Sequence, residues 1–320
     1  MAGLTFTGAV TLGGAVSASG NGYVAPAPAA SGTQRAIFGF GIAATNSALT
    51  NLVSNTGVVA TDTAGVGYSR QGPAAAGYGS DKAIFGYGWN GSTSYSMTNL
   101  VSNTGEVAAD TTGVGTGRSS LAAAGYGTDK AIFGYGLVGS TTEVSVTNLV
   151  SNTGVVAADT TGVGSVRQAP AAAGYGSDKA IFGYGSVNGS GGITAITNLV
   201  SNTGVVATDT TGVGTARYRL AAAGYGTDKA IFGYGSGSTN ISNLVSNTGV
   251  VATDTTGVGT ARNQLAAAGY GSDKAIFGYG FVSSNLSMTN LVSNTGVVAT
   301  DTTGVGTARR SLAAAGFSTT

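Results

Sequence analysis

Apolar positions in this chain fall in short runs that glycine, serine, threonine and aspartate interrupt, which is the pattern of strands and turns. Four runs recur in a fixed order: KAIFGYG, TNLVS, VVATDT and LAAAGYG. AIFG occurs six times, with its phenylalanine at Phe38, Phe85, Phe133, Phe182, Phe232 and Phe277, spaced 47, 48, 49, 50 and 45 residues apart. Between LAAAGYG and KAIFGYG stands GSD or GTD, and between TNLVS and VVATDT stands NTG. Both links carry tight-turn chemistry and join antiparallel neighbours. The glycines and alanines of LAAAGYG suit a place where backbones approach closely, such as an innermost strand around an axis. Glu106 replaces the valine found at Val58, so VVATDT is expected on an outer, partly solvated edge.

Four strands in about 48 residues match a propeller blade. The predicted fold is all-β: a six-bladed β-propeller of four-stranded antiparallel blades, with repeats starting near residues 35, 82, 130, 179, 229 and 274. A β-solenoid is the rival, and the hairpin turns argue against it. The first clear copy starts with the strand Arg35–Gly41, and the chain ends on a LAAAGYG-type strand, Leu312–Phe317. The last strand is therefore expected to complete the first blade and remove exposed sheet edges. Residues 26–31 compete for that place, but Pro28 would remove a ladder donor from an inner strand. The propeller domain then covers 33–320. Residues 1–32 form an N-terminal arm or attachment segment, through which copies of the chain could associate.

Composition narrows the function classes. Of 320 residues, 56 are glycine and only 8% are charged, which excludes an ordinary helical protein. A net charge of +1 gives no reason to expect nucleic acid or an anionic membrane. There is no cysteine for disulfides and no histidine. The N-terminus lacks the basic start and apolar run of a signal peptide, and no stretch is long and apolar enough for a membrane span.

The charges follow the repeat. Arginines recur at 70, 118, 167, 217, 262 and 309, and aspartates at 62, 110, 159, 209, 254 and 301. A basic residue recurs at Arg35, Lys82, Lys130, Lys179, Lys229 and Lys274, preceded in five copies by aspartate. Only Glu106, Glu143, Arg219 and Arg310 break the symmetry. Catalysis needs a local, asymmetric set of groups, so no catalytic residue, metal ligand or cofactor is assigned. The six arginines are expected as glue between blades, the alternative being a cationic collar at one channel mouth that holds an anion. Glu106 and Glu143 look like surface substitutions. Without His or Cys, histidine triads, thiol nucleophiles and the usual zinc sets fail.

Two zones differ between copies: the loop after KAIFGYG, and the two residues after each repeat arginine. Up-and-down topology puts both on one face, with the constant turns on the other. The variable face offers a candidate binding set of Trp89, Asn90, Tyr95, Glu143, Tyr218, Arg219, Asn263, Gln264, Phe281 and Arg310. Rigid aromatics among small hydrogen-bonding residues suit recognition. Loop drift under no packing constraint is the bland reading of the same variation.

The unit resembles a kelch repeat over residues 33–320, with Phe85-Gly86-Tyr87-Gly88 before a variable loop and Arg118 before Leu121. It departs from that family in having GYG for the adjacent Gly-Gly and in lacking the later Tyr and Trp. The family's copper chemistry needs histidines that this chain does not have. The wording AIFGYG…NLVSNTGVV…GVGTAR…LAAAGYG is also similar to repeats in tail-fibre and other virion proteins of tailed bacteriophages. That resemblance implies a non-enzymatic virion component on the tail or particle surface, with other virion proteins and a host surface glycan or protein as partners. A cellular kelch-like or lectin-like interaction module is the alternative.

Overall fold

Each KAIFG run lies in the middle of a three-stranded antiparallel sheet, between an AAAGY strand and a TNLV-type strand. The second sheet illustrates the register. Ala74–Tyr78 pairs with Lys82–Trp89 through Ala76↔Ile84, and Ser94–Val101 pairs on the other side through Ile84↔Leu100. The middle strand is apolar at successive positions because both of its faces are covered; Ala83, Ile84 and Phe85 are fully buried. Six such sheets occur in this computed structural model, which describes residues 33–237 and 239–319. The expectations for the arm 1–32 and for a strand at 26–31 lie outside those residues. The described residues contain no α-helix and one 3-10 turn, Gly189–Gly191.

The first sheet joins the two ends of the described chain. Ala313–Thr319 runs antiparallel to Thr33–Gly39, from Thr33↔Thr319 to Gly39↔Ala313, and Thr50–Val53 completes the sheet. Elsewhere that pairing is a hairpin. In the second sheet Gly79 and Ser80 supply it, both in left-handed backbone (φ 60° and 68°).

The expected fourth strand is only partly formed. VVATDT touches its neighbour at isolated bridges, Val53↔Val59 and Thr50↔Thr63 in the first copy. Between those bridges the outer segment has one more residue than its partner, so the ladder bulges. The buried Asn51 fills the gap, its Nδ2 donating to Ala60 O at 3.0 Å. The sheets are therefore three-stranded with a bridged outer segment, a correction to the four-stranded expectation.

The core lies between sheets. One cluster packs Ala74, Ile84 and Tyr87 of the second sheet against Ala131, Phe133 and Val150 of the third. Tyr87 reaches across because the GYG link takes left-handed backbone (φ 64°) at a register shift in the strand. Its ring meets Phe133 edge-on at 5.1 Å. The next sheets repeat this contact, and the last pair, Tyr279 with Phe38, joins the sixth sheet to the first. The glycine of AIFG makes room for it: a Cβ on Gly86 would stand 2.7 Å from Phe133.

Among the described residues no sheet closes on itself. Contacts between sheets nevertheless run in order from first to second and on to sixth and first. The AAAGY strands are neighbours in that order. So are six backbone hydrogen bonds: Gly72 N donates to Ser311 O, Ser120 to Gly72, Ala169 to Ser120, Arg219 to Ala169, Gln264 to Arg219 and Ser311 to Gln264. All six residues have left-handed backbone, with φ between 48° and 59°.

Candidate binding site at the variable mouth

The repeat arginines are fully buried, so the collar alternative is corrected: none is available to an anion in solvent. Arg217 shows what they do. Its Nε donates to Tyr234 O at 2.8 Å, its Nη2 to Asn243 Oδ1 at 2.6 Å, and its guanidinium lies 4.4 Å from the Tyr184 ring centroid. Tyr184 follows the middle strand of the fourth sheet, Tyr234 follows that of the fifth, and Asn243 belongs to the fifth. The repeat aspartates tie the same seams. Asp62 accepts from Asn51 Nδ2 at 2.9 Å and from Thr307 Oγ1 at 2.6 Å, and Arg309 stands 3.6 Å away. Partial burial alone would raise the Asp62 carboxyl; the Thr307 and Asn51 hydrogen bonds and the Arg309 charge outweigh it and hold it below the ordinary value. Burial pulls Arg70 down to about 10, opposed by the Asp110 charge, so it stays cationic at neutral pH.

Two cavities of about 320 Å³ draw lining residues from all six repeats. One is bordered by the constant hairpins and by Lys82, Lys130, Lys179, Lys229 and Lys274. Each of these lysines bonds the aspartate that precedes it, at 2.6–3.0 Å.

The other cavity is bordered by the variable residues. The pair after each repeat arginine closes the six-membered hydrogen-bond ring, and backbone bridges tie that pair to the first residue of the next variable loop, as in Gln71↔Trp89 and Asn263↔Phe281. Both variable zones therefore meet at this mouth. Of the sequence-derived set, Trp89, Arg219, Gln264 and Arg310 line the cavity. Tyr218 and Phe281 sit under the two arginines, with Arg219 Cζ 5.0 Å from the Tyr218 centroid and Arg310 Cζ 4.6 Å from that of Phe281. Asn263 is beside Phe281, and its Oδ1 is buried without a hydrogen-bond partner.

Asn90 and Tyr95 lie apart from the cavity lining; Asn90, just after Trp89, donates its Nδ2 to the hydroxyl of Tyr95 in the strand Ser94–Val101 at 2.7 Å. Glu143 does not line the cavity and is not a free surface carboxylate. It accepts from Gln168 Nε2 at 3.2 Å and from the backbone of Asn188 and Gly189, holding two neighbouring loops together. The selection also missed Gln71, Ser119 and Gln168, which line the mouth. Their signal was their place after a repeat arginine, the same place that Asn263 and Gln264 hold in their own copy.

Among the described residues no three His, Cys, Asp or Glu side chains converge as a metal site, and no helix is long and apolar enough to cross a membrane. No protein-family model matches the chain. No curated protein matches its sequence.

Proposed function

We propose that the chain is a six-bladed β-propeller that works as a non-enzymatic binding module, with its ligand site at the variable mouth. The closed cycles support the ring: aromatic pairs, buried arginines and the six backbone hydrogen bonds each return from the sixth repeat to the first. One observation carries the binding reading. At least one residue of every variable pair, with Ile42, Trp89 and Leu137 from the variable loops, lines a single cavity, while the opposite mouth repeats the same hairpin and lysine in five copies. A sixfold repeated charge does not make the asymmetric acid–base set that catalysis requires, so recognition fits better than reaction.

The likeness of the repeat to virion proteins favours a phage particle surface or tail as the setting, with a host glycan or protein as ligand. The test replaces each variable pair with Ser-Gly and shortens the variable loops. Binding of the purified protein to glycan arrays and to candidate host cells should be lost while the unfolding midpoint holds. Unchanged binding to the same targets sinks the reading.

A further inference from the structure

We infer that the variable mouth takes a carboxylate-bearing sugar residue, with Arg219 and Arg310 receiving the carboxylate. This rests on the binding reading above and names its ligand class. The charges point there first. The repeat pattern covers all but four charged residues, and two of those four, Arg219 and Arg310, line this one cavity. A third, Glu143, holds the lining residue Gln168. Among the described residues no acidic side chain lines the cavity, so the cations face no competing carboxylate there.

The two arginines are preset. Their residues flank Gln264 in the hydrogen-bonded ring, Arg219 as a member and Arg310 just before Ser311. Each guanidinium stacks on an aromatic ring. Arg310 spends one donor, Nη1, on Asn285 Oδ1 at 3.0 Å. The exposed Arg219 makes no side-chain hydrogen bond to the described residues. Planar forks with free donors suit a carboxylate, which they can hold through two bonds.

The rest of the lining indicates a sugar. Every repeat brings an apolar residue to the lining, Pro170 and Leu220 among them; Trp89 and Leu137 add to it on the half of the ring formed by Gly72, Ser120 and Ala169, and both cations stand on the other half. Gln71, Ser119 and Gln168 add hydrogen-bonding groups on the same half as Trp89. An apolar lining with hydrogen-bonding groups on one half and two cations on the other matches a pyranose with an apolar face, hydroxyls and one acid group. A volume of about 320 Å³ is the size class of a small ligand.

The test is calorimetric titration of the whole chain with sialyllactose and trigalacturonate, against neutral lactose and maltotriose. At least one acidic probe should bind about tenfold more tightly than its neutral counterpart, and added salt should weaken it. R219Q and R310Q should each remove most of that preference and bring the acid affinity down toward that of the neutral probe. K179Q, at the opposite mouth, should change neither. Equal binding of acidic and neutral probes, no binding of either acid, or acid binding that survives both arginine changes overturns the inference. Acidic and neutral saccharides that bind equally, and are both lost in W89A, would overturn the carboxylate while leaving the variable mouth as a binding site. Binding unaffected by both W89A and the Ser-Gly replacement overturns the two readings together.

Discussion

Arg217 donates to a backbone carbonyl and an asparagine on one sheet and stacks on a tyrosine of the sheet before it, all without solvent contact. Its charge is met by geometry more than by a close ion pair, since Asp254 Oδ1 is 3.9 Å away. Removing one partner from such a set leaves buried acceptors with nothing to bind. R217M should cost about 3–5 kcal/mol, read as a lower denaturant midpoint with an unchanged slope. R217K should recover little, because an ammonium cannot span Tyr234 O and Asn243 Oδ1 while stacking on Tyr184. A variant as stable as the parent would show that these arginines do not hold the seams. The repeat arginine and aspartate were legible in the sequence as fixed positions. Their intermediary was not, because the asparagine of TNLVS reads as one polar residue in a half-buried strand. Only the fold shows its Oδ1 accepting from the arginine while its Nδ2 donates to the aspartate.

The strands themselves show the same division at the scale of elements. AAAGY, KAIFG and TNLV were legible because their apolar runs end at turn residues, and each forms a regular strand. VVATDT carries the same composition but one residue too many for its partner, and run length does not reveal a bulge. GYG was read as a strand end, whereas its tyrosine takes left-handed backbone and crosses to the next sheet. Likewise both variable zones were legible by comparing copies, but which side chains line the cavity depends on the ring of left-handed residues. The seam has little spare room. A Cβ on Gly183 would lie 2.8 Å from Cζ of Phe232 in the next sheet. G183A should therefore cost about 1–3 kcal/mol through overpacking. F232L creates space and costs stability by itself, but G183A/F232L should lose less than the two single changes added together. Strict additivity in a thermal or denaturant series would mean that the seam relaxes without moving the ring.

For the whole molecule, the proposed ring depends on one pairing that no hairpin enforces. Ala313–Thr319 completes the first sheet, and Gly316 also packs against the backbone of Gly269 in the sixth, where a Cβ would stand 3.0 Å from its carbonyl oxygen. A chain ending at Ser311 would leave Thr33–Gly39 as an open edge and expose Phe38, now fully buried, along one side. Open edges of this kind recruit other chains. The truncated chain should thus lose most of the roughly 5–15 kcal/mol typical of a folded domain and run as oligomers or aggregates in size-exclusion chromatography with light scattering. Poor folding of a truncation alone would be ambiguous, so a permutant supplies the control. Phe317 faces Arg35 as Tyr78 faces Lys82, and the latter pair is joined by Gly-Ser-Asp. Linking Phe317 to Arg35 through the same three residues, and opening the chain between Gly139 and Ser140, turns the closing pair into a sixth hairpin. A Cβ on Gly139 meets nothing within 4 Å, so the new ends fall in open space. The permutant should be monomeric and unfold in one transition close to that of the chain without residues 1–32. A truncated chain that stays monomeric and as stable as its parent would show that closure through the C-terminal strand contributes nothing, and the ring reading would fall with it.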